Sequence, residues 1–239
     1  MEVLDKETVF DVKGVSKAYM SSTVSEAAIK EISIKFYKSE FVAITGKSGS
    51  GKSTLLNLLA GLDKVSYGEI LFKNRNICQM NEALLTKWRG RSIGIIFQFF
   101  QLIPTLTVIE NIILPMDFLS KLSNNEKRKR ASSLLSMTGI DLLADKFPFD
   151  LSGGEQQRVA IVRAMANDPD IFFADEPTGN LDSATSQNIM DIFLSLAKQG
   201  KTILMVTHNN DMALQADRIV TLHDGCVISD TYNDWKELE

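Results

Sequence analysis

"AITGKSGSGKSTLLNLLAGL", residues 43–62, sets glycine, serine and lysine between an apolar run and a leucine-rich helical pattern. Gly46-x4-Gly51-Lys52-Ser53 has P-loop spacing, directly after a strand-like run and directly before a helical one. Glycines suit this turn because successive backbone N–H groups must point inward around an anion, where a Cβ would crowd them. The helix beginning near Lys52 adds its dipole to those amides. Gly46, Lys47, Ser48, Gly49, Ser50, Gly51, Lys52, Ser53 and Thr54 therefore form a candidate phosphate cradle. Lys52 is expected on the β- and γ-phosphates and the Ser53 hydroxyl on Mg²⁺. A chance match to this pattern arises in a chain of this length on the order of once in 100.

The strand ahead of this loop is one of a series. Apolar or alternating runs occur at 8–15, 29–37, 41–45, 69–73, 93–97, 171–175, 202–207 and 218–229. "FVAIT", "IFFAD" and "TILMVT" are continuous rather than alternating, as central strands of a parallel sheet buried on both faces should be. Asp224-Gly225 inside the last run is a two-residue hairpin signal. Helical patterns follow several strands, so the expected fold is α/β: a doubly wound core with an antiparallel N-terminal β part. Residues 1–97 and 167–239 are assigned to that core and 98–166, where strand signals thin out, to an inserted helical subdomain.

Composition sets the outer limits. With 239 residues, 44% hydrophobic and 23% charged, the chain has the balance of an ordinary globular protein. It shows neither an apolar run long enough to span a membrane nor a signal-like N-terminus, so a cytoplasmic location is expected. A net charge of −4 speaks against nucleic acid as a partner. The basic run "EKRKR" at 126–130 reads as a solvated helix face. Cys78 and Cys226 have no metal-ligand spacing and are expected to be reduced, partly buried packing residues.

Chemistry beyond the P-loop comes from two further stretches. In "IFFADEP", Asp175 ends an apolar strand, placed to hold the water shell of Mg²⁺, and Glu176 follows, placed to orient or deprotonate a water. In "LSGGEQQRVAIVRAMANDPD", residues 151–170, Ser152, Gly153 and Gly154 open a long helix and make a second glycine-containing helix N-terminus suited to phosphate. The hexapeptide LSGGEQ would arise by chance about once in 100,000 chains of this length.

With LSGGEQ beside the P-loop, the chain resembles the nucleotide-binding domains of ABC transporters over residues 9–229, so residues 1–239 are expected to form a single such domain. The resemblance implies that Ser152, Gly153, Gly154 and Glu155 complete the ATP site of a second copy in a head-to-tail homodimer. It likewise implies that Gln98 contacts Mg²⁺ and links the site to a membrane partner, that Asp182 in "PTGNLDS" lies at the dimer interface, that His208 is the switch histidine, and that Tyr19 stacks on adenine. An acidic residue often follows that histidine in the family, whereas "THNND" has asparagine there.

The stretch "FQFFQLIPTLTVIENIILP", together with "ADEPTGNLDS", resembles the MacB-like group: macrolide and peptide exporters, lipoprotein-release ATPases and the cell-division complex. This implies an ATPase on the inner face of the cell membrane, driving a permease by export or mechanotransmission. The permease's coupling helix is expected against Phe99, Phe100, Leu102, Ile103, Leu106 and Val108, within Gln98 to Val108. The alternative, a soluble ABC ATPase working on nucleic acid or ribosomes, ordinarily carries coiled-coil insertions, zinc hooks or a second cassette, and this chain has none of them.

Overall fold

The computed structural model describes residues 6–20, 25–119 and 121–233. In chain order the strands are β1 (Thr8–Met20), β2 (Ser25–Tyr37), β3 (Phe41–Thr45), β4 (Tyr67–Phe72), β5 (Arg75–Asn76), β6 (Ile93–Ile96), β7 (Ile171–Asp175), β8 (Thr202–Val206), β9 (Arg218–His223) and β10 (Cys226–Tyr232). The helices are α1 (Lys52–Leu59), α2 (Glu82–Ser92), α3 (Val108–Leu119), α4 (Asn124–Met137), α5 (Gly153–Met165), α6 (Ser183–Lys198) and α7 (Asn210–Ala213).

Two sheets result. One is antiparallel, in the order β2-β1-β4-β5; the other runs β10-β9-β3-β8-β7-β6, parallel except for β10 at its edge. The apolar runs at 41–45 and 171–175 become β3 and β7 without change. Their alternate residues face opposite ways, as the strand period of two requires. Val42, Ile44, Phe173, Leu204 and Val206 pack with α1 and the antiparallel sheet. Phe41, Ala43, Phe172, Ala174, Ile203 and Met205 pack instead with α3, α4, α5 and α6. Burial on both faces explains why these strands carry no polar alternation.

Several expectations need correction. β1 continues past Val15 to Met20, where its ladder with β2 runs on from Lys17 opposite Ile29 to Met20 opposite Ser25, and the Lys17 ammonium is buried against Asp63 at 2.6 Å. The run at 69–73 stops at Phe72, since Lys73 and Asn74 turn with φ of 46° and 65° and lead into β5. Asp224 and Gly225 form the expected hairpin turn, with φ of 47° and 79°. The basic run is not uniformly solvated: Lys127 is buried against Asp117 at 2.7 Å, and Arg130 Nε donates to Ala166 O, while Arg128 and Lys129 face water. Cys78 and Cys226 are free thiols, as expected, but both are exposed rather than partly buried. Among the described residues no helix is long and apolar enough to cross a membrane.

Candidate functional site

The glycine loop joins β3 to α1 at the end of the parallel sheet, where ligand sites of open α/β sheets lie. Gly46 has φ of 141°, and a Cβ there would stand 2.2 Å from Leu222 O. Gly51, with φ of 98°, would meet Ala28 O at 2.4 Å. No other residue type fits either position. Gly51 is also the N-cap of α1 and brings no capping side chain, and no acidic residue lies in the helix's first turn. Lys52 is buried, and its Nζ donates to Gly46 O and Lys47 O, 2.9 Å each. Ser50 Oγ is buried without a hydrogen-bond partner, so the loop holds an unused polar atom.

The loop opens onto a cavity of about 460 Å³. Ser48, Gly49, Gly51, Lys52, Ser53 and Thr54 line one side, and Gln98, Glu176 and His208 line another. Ala28, a residue with no signal in the sequence, completes the lining. Ser53 Oγ donates to Asp175 Oδ1 at 2.9 Å, joining α1 to the end of β7. Burial pushes the Asp175 carboxyl above the ordinary carboxylate range; the Glu176 charge adds to this, while Ser53's donation and Lys52 oppose it. Glu176 takes a left-handed backbone, φ 48°, held by its N–H donating to Val206 O at 3.0 Å. That turn aims its carboxylate at His208, whose Nδ1 lies 2.5 Å from Glu176 Oε2. Glu176's side chain is 14% exposed and His208's 64%, so the acid is sheltered beneath the imidazole.

Other predicted residues stand apart from this cavity. Tyr19 is exposed beside α1; its hydroxyl donates to Asp63 Oδ2 at 2.7 Å and the Lys17 ammonium lies 4.8 Å from its ring centroid. Burial, then the Asp63 partner, raises its phenol pKa. Ser152 caps α5: Glu155 Oε2 accepts from Ser152 N and Oγ at 2.8 and 2.7 Å, and those two donors hold the Glu155 carboxyl below its usual range. Gly153 packs toward Leu181, and Gly154 toward Thr185. Asp182 caps α6, accepting from Thr185 N at 3.0 Å and Thr185 Oγ1 at 2.6 Å, so the two predicted interface segments adjoin.

Of the six apolar residues expected to receive a partner, Phe99 and Ile103 are exposed and Phe100, Leu102 and Leu106 half-buried. Val108 is fully buried in the helical core cluster and is removed from that surface. A groove of about 340 Å³ adjoins the segment instead, lined by Leu62, Phe97, Gln101 and Pro115 among others.

A lysine and serine on a glycine loop, facing an acidic strand end across a parallel sheet, define a P-loop nucleoside triphosphatase. Within that class the chain belongs to the ABC transporter family, whose model matches residues 29–179, and it is an ATPase cassette of the LolD and MacB kind. It is 46% identical over 202 residues to the lipoprotein-releasing system ATP-binding protein LolD of Aquifex aeolicus, covering 84% of this chain and 90% of that one. It is 40% identical over 225 residues to the macrolide export ATP-binding/permease protein MacB of Pasteurella multocida, covering 94% of this chain but 34% of MacB. The dimeric structure of a post-hydrolysis state of the ATP-binding cassette MJ0796 bound to ADP and Pi matches it with a TM-score of 0.89 at 42% identity. That match covers 94% of this chain and 98% of the other.

Proposed function

We propose that this chain is the ATP-hydrolysing subunit that drives a membrane permease, working as a head-to-tail pair on the cytoplasmic face of the membrane. The observation carrying the reading is the Glu176–His208 pair at the mouth of the glycine-loop cavity. Lys52, bonded to loop carbonyls, would turn its ammonium toward the β- and γ-phosphates of ATP, with the loop amides and Thr54 taking the remaining phosphate oxygens. Tyr19, anchored by Asp63, offers its ring to adenine.

Ser53, Gln98 and Asp175 would hold Mg²⁺, a fit supported by their hard oxygen atoms. When bound, Mg²⁺ neutralises charge on the phosphates. Glu176 is the general base for the attacking water, and His208 holds its carboxylate in line. Ser152, Gly153 and Gly154, with Glu155 and Asp182 behind them, would face the second copy's ATP, so that ATP joins the pair and hydrolysis releases it.

The dimeric MJ0796 cassette supports the pairing, and the LolD and MacB relatives support a permease partner. The groove beside residues 97–101 is the proposed seat of that permease, residues 98–166 the helical subdomain that carries it, and export or mechanotransmission of peptide, antibiotic or lipoprotein the proposed output.

The test is Glu176→Gln. It should bind ATP normally, accumulate as an ATP-bound dimer, and lose hydrolysis by about 10²-fold or more in a phosphate-release assay. Wild-type turnover would remove Glu176 from the role of base.

A further inference from the structure

We infer that Arg163 is a positioning residue for the Gln98 arm: its guanidinium holds Phe100 and Gln101 in a left-handed backbone, and that hold sets where Gln98 and Phe100 stand. Phe100 and Gln101 have φ of 53° and 52°. Two consecutive non-glycine residues in this region are disfavoured, because each Cβ crowds the neighbouring carbonyl oxygen. Such a pair persists when surrounding contacts over-determine it. Arg163, on α5, supplies that hold: Nη2 donates to Phe100 O at 2.8 Å and Nη1 to Gln101 O. A planar guanidinium fork suits two carbonyls turned the same way, and a lysine ammonium would not match it.

Arg163's surroundings set it apart from a surface arginine. Burial pushes its pKa down, and no carboxylate lies within ion-pair reach of it among the described residues. A half-buried cation satisfied within the protein by backbone carbonyls is costly for packing purposes, since an apolar residue would fill the space without desolvating a charge. The segment it grips touches both glycine turns. Gln98, two residues before Phe100, lines the nucleotide cavity. The Phe100 ring reaches within 3.8 Å of the Cβ position at Gly153, in the LSGGEQ turn at the start of the same helix α5.

Arg163 and Gln101 also line the groove proposed for the permease. The inference therefore deepens the proposed function: pressure on that groove reaches Gln98 and the Gly153 turn through one clamp. Its first half, the hold on Gln98, stands without a partner.

The test is steady-state ATP hydrolysis and thermal unfolding of the whole chain carrying Arg163→Met, Gln101→Gly, or both. Gln101 is exposed, and glycine there removes the left-handed penalty without touching the Phe100 ring. Arg163→Met should lower kcat about tenfold, the scale of one such backbone penalty, with KM for ATP within about twofold. Adding Gln101→Gly should restore several-fold of that loss, and raise kcat by a larger factor than it does in the wild-type background. An unchanged kcat in Arg163→Met would overturn the proposal, as would a Gln101→Gly effect equal in both backgrounds, which would assign the loss to packing. Should Arg163→Met not fold, Arg163→Lys should show a smaller kcat loss with the same rescue, and absence of rescue there has the same force. Glu176→Gln in the same assay separates this outcome from failure of the hydrolytic reading, because loss of its turnover reports the base whether or not the Arg163 hold matters.

Discussion

Two helices of this protein begin at glycine-bearing turns, and their first turns are treated in opposite ways. At α1 the N-cap is Gly51, no side chain caps the helix, and the buried Lys52 turns back on loop carbonyls. At α5 the N-cap is Ser152, and Glu155 closes a full capping box over it. The same box opens α4 through Ser123 and Glu126, and Glu110 meets Thr107 in the same pattern ahead of α3. The start of α5 is thus an ordinary capped helix with two glycines added. The first turn, proposed as the phosphate site, has no capping side chain of its own; the second is already satisfied by its own carboxylate. Receiving a phosphate at Ser152 therefore requires the hydroxyl to exchange Glu155 for the new anion, which ties its use to the arrival of another molecule.

The largest expected break of this comparison comes from placing one methyl group in each turn. Gly46→Ala should weaken ATP binding by about 100-fold or more, roughly 2.7 kcal/mol, because the new Cβ would stand 2.2 Å from a backbone oxygen. Gly153→Ala should leave ATP affinity of the single chain within about twofold, since its nearest neighbour is the Leu181 Cδ2 end at 3.6 Å. Isothermal titration with ATP checks both, and equal losses would erase the distinction between the turns. A smaller effect is expected from Ser152→Ala, which removes the cap without adding bulk. It should lower stability by about 1 kcal/mol and the unfolding midpoint by about 2–4 °C, with ATP affinity of the single chain unchanged. A midpoint equal to wild type would show that the box contributes nothing to α5.

Both turns were legible in the sequence, because each is a contiguous pattern whose spacing is set by backbone geometry. The same holds for β3 and β7, whose uninterrupted apolar runs directly encode burial on two faces. Features made by distant residues were not legible. Lys17 reads as a surface lysine until Asp63, 46 positions away, takes its charge and at the same time anchors Tyr19. Arg163 carries no signal of its own in the sequence; the fold sets it against Phe100 and Gln101, more than 60 positions earlier. Val108 reads as one of an apolar series, and only the packing of α3 decides that it belongs inside. The extra turn at Lys73 and Asn74 escaped because only one of its two residues is a habitual left-handed former.

The central claim is that each site is half of a composite whose other half is the Ser152 turn of a second copy. Its most direct test is the mass in solution, by light scattering on a sizing column, of Glu176→Gln and of Ser152→Arg/Glu176→Gln, each with MgATP. The account predicts an ATP-dependent dimer for the first and an ATP-bound monomer for the second, because an arginine at the exposed α5 cap blocks the facing copy while leaving the glycine-loop cavity untouched. A dimer that persists in the double variant would contradict it.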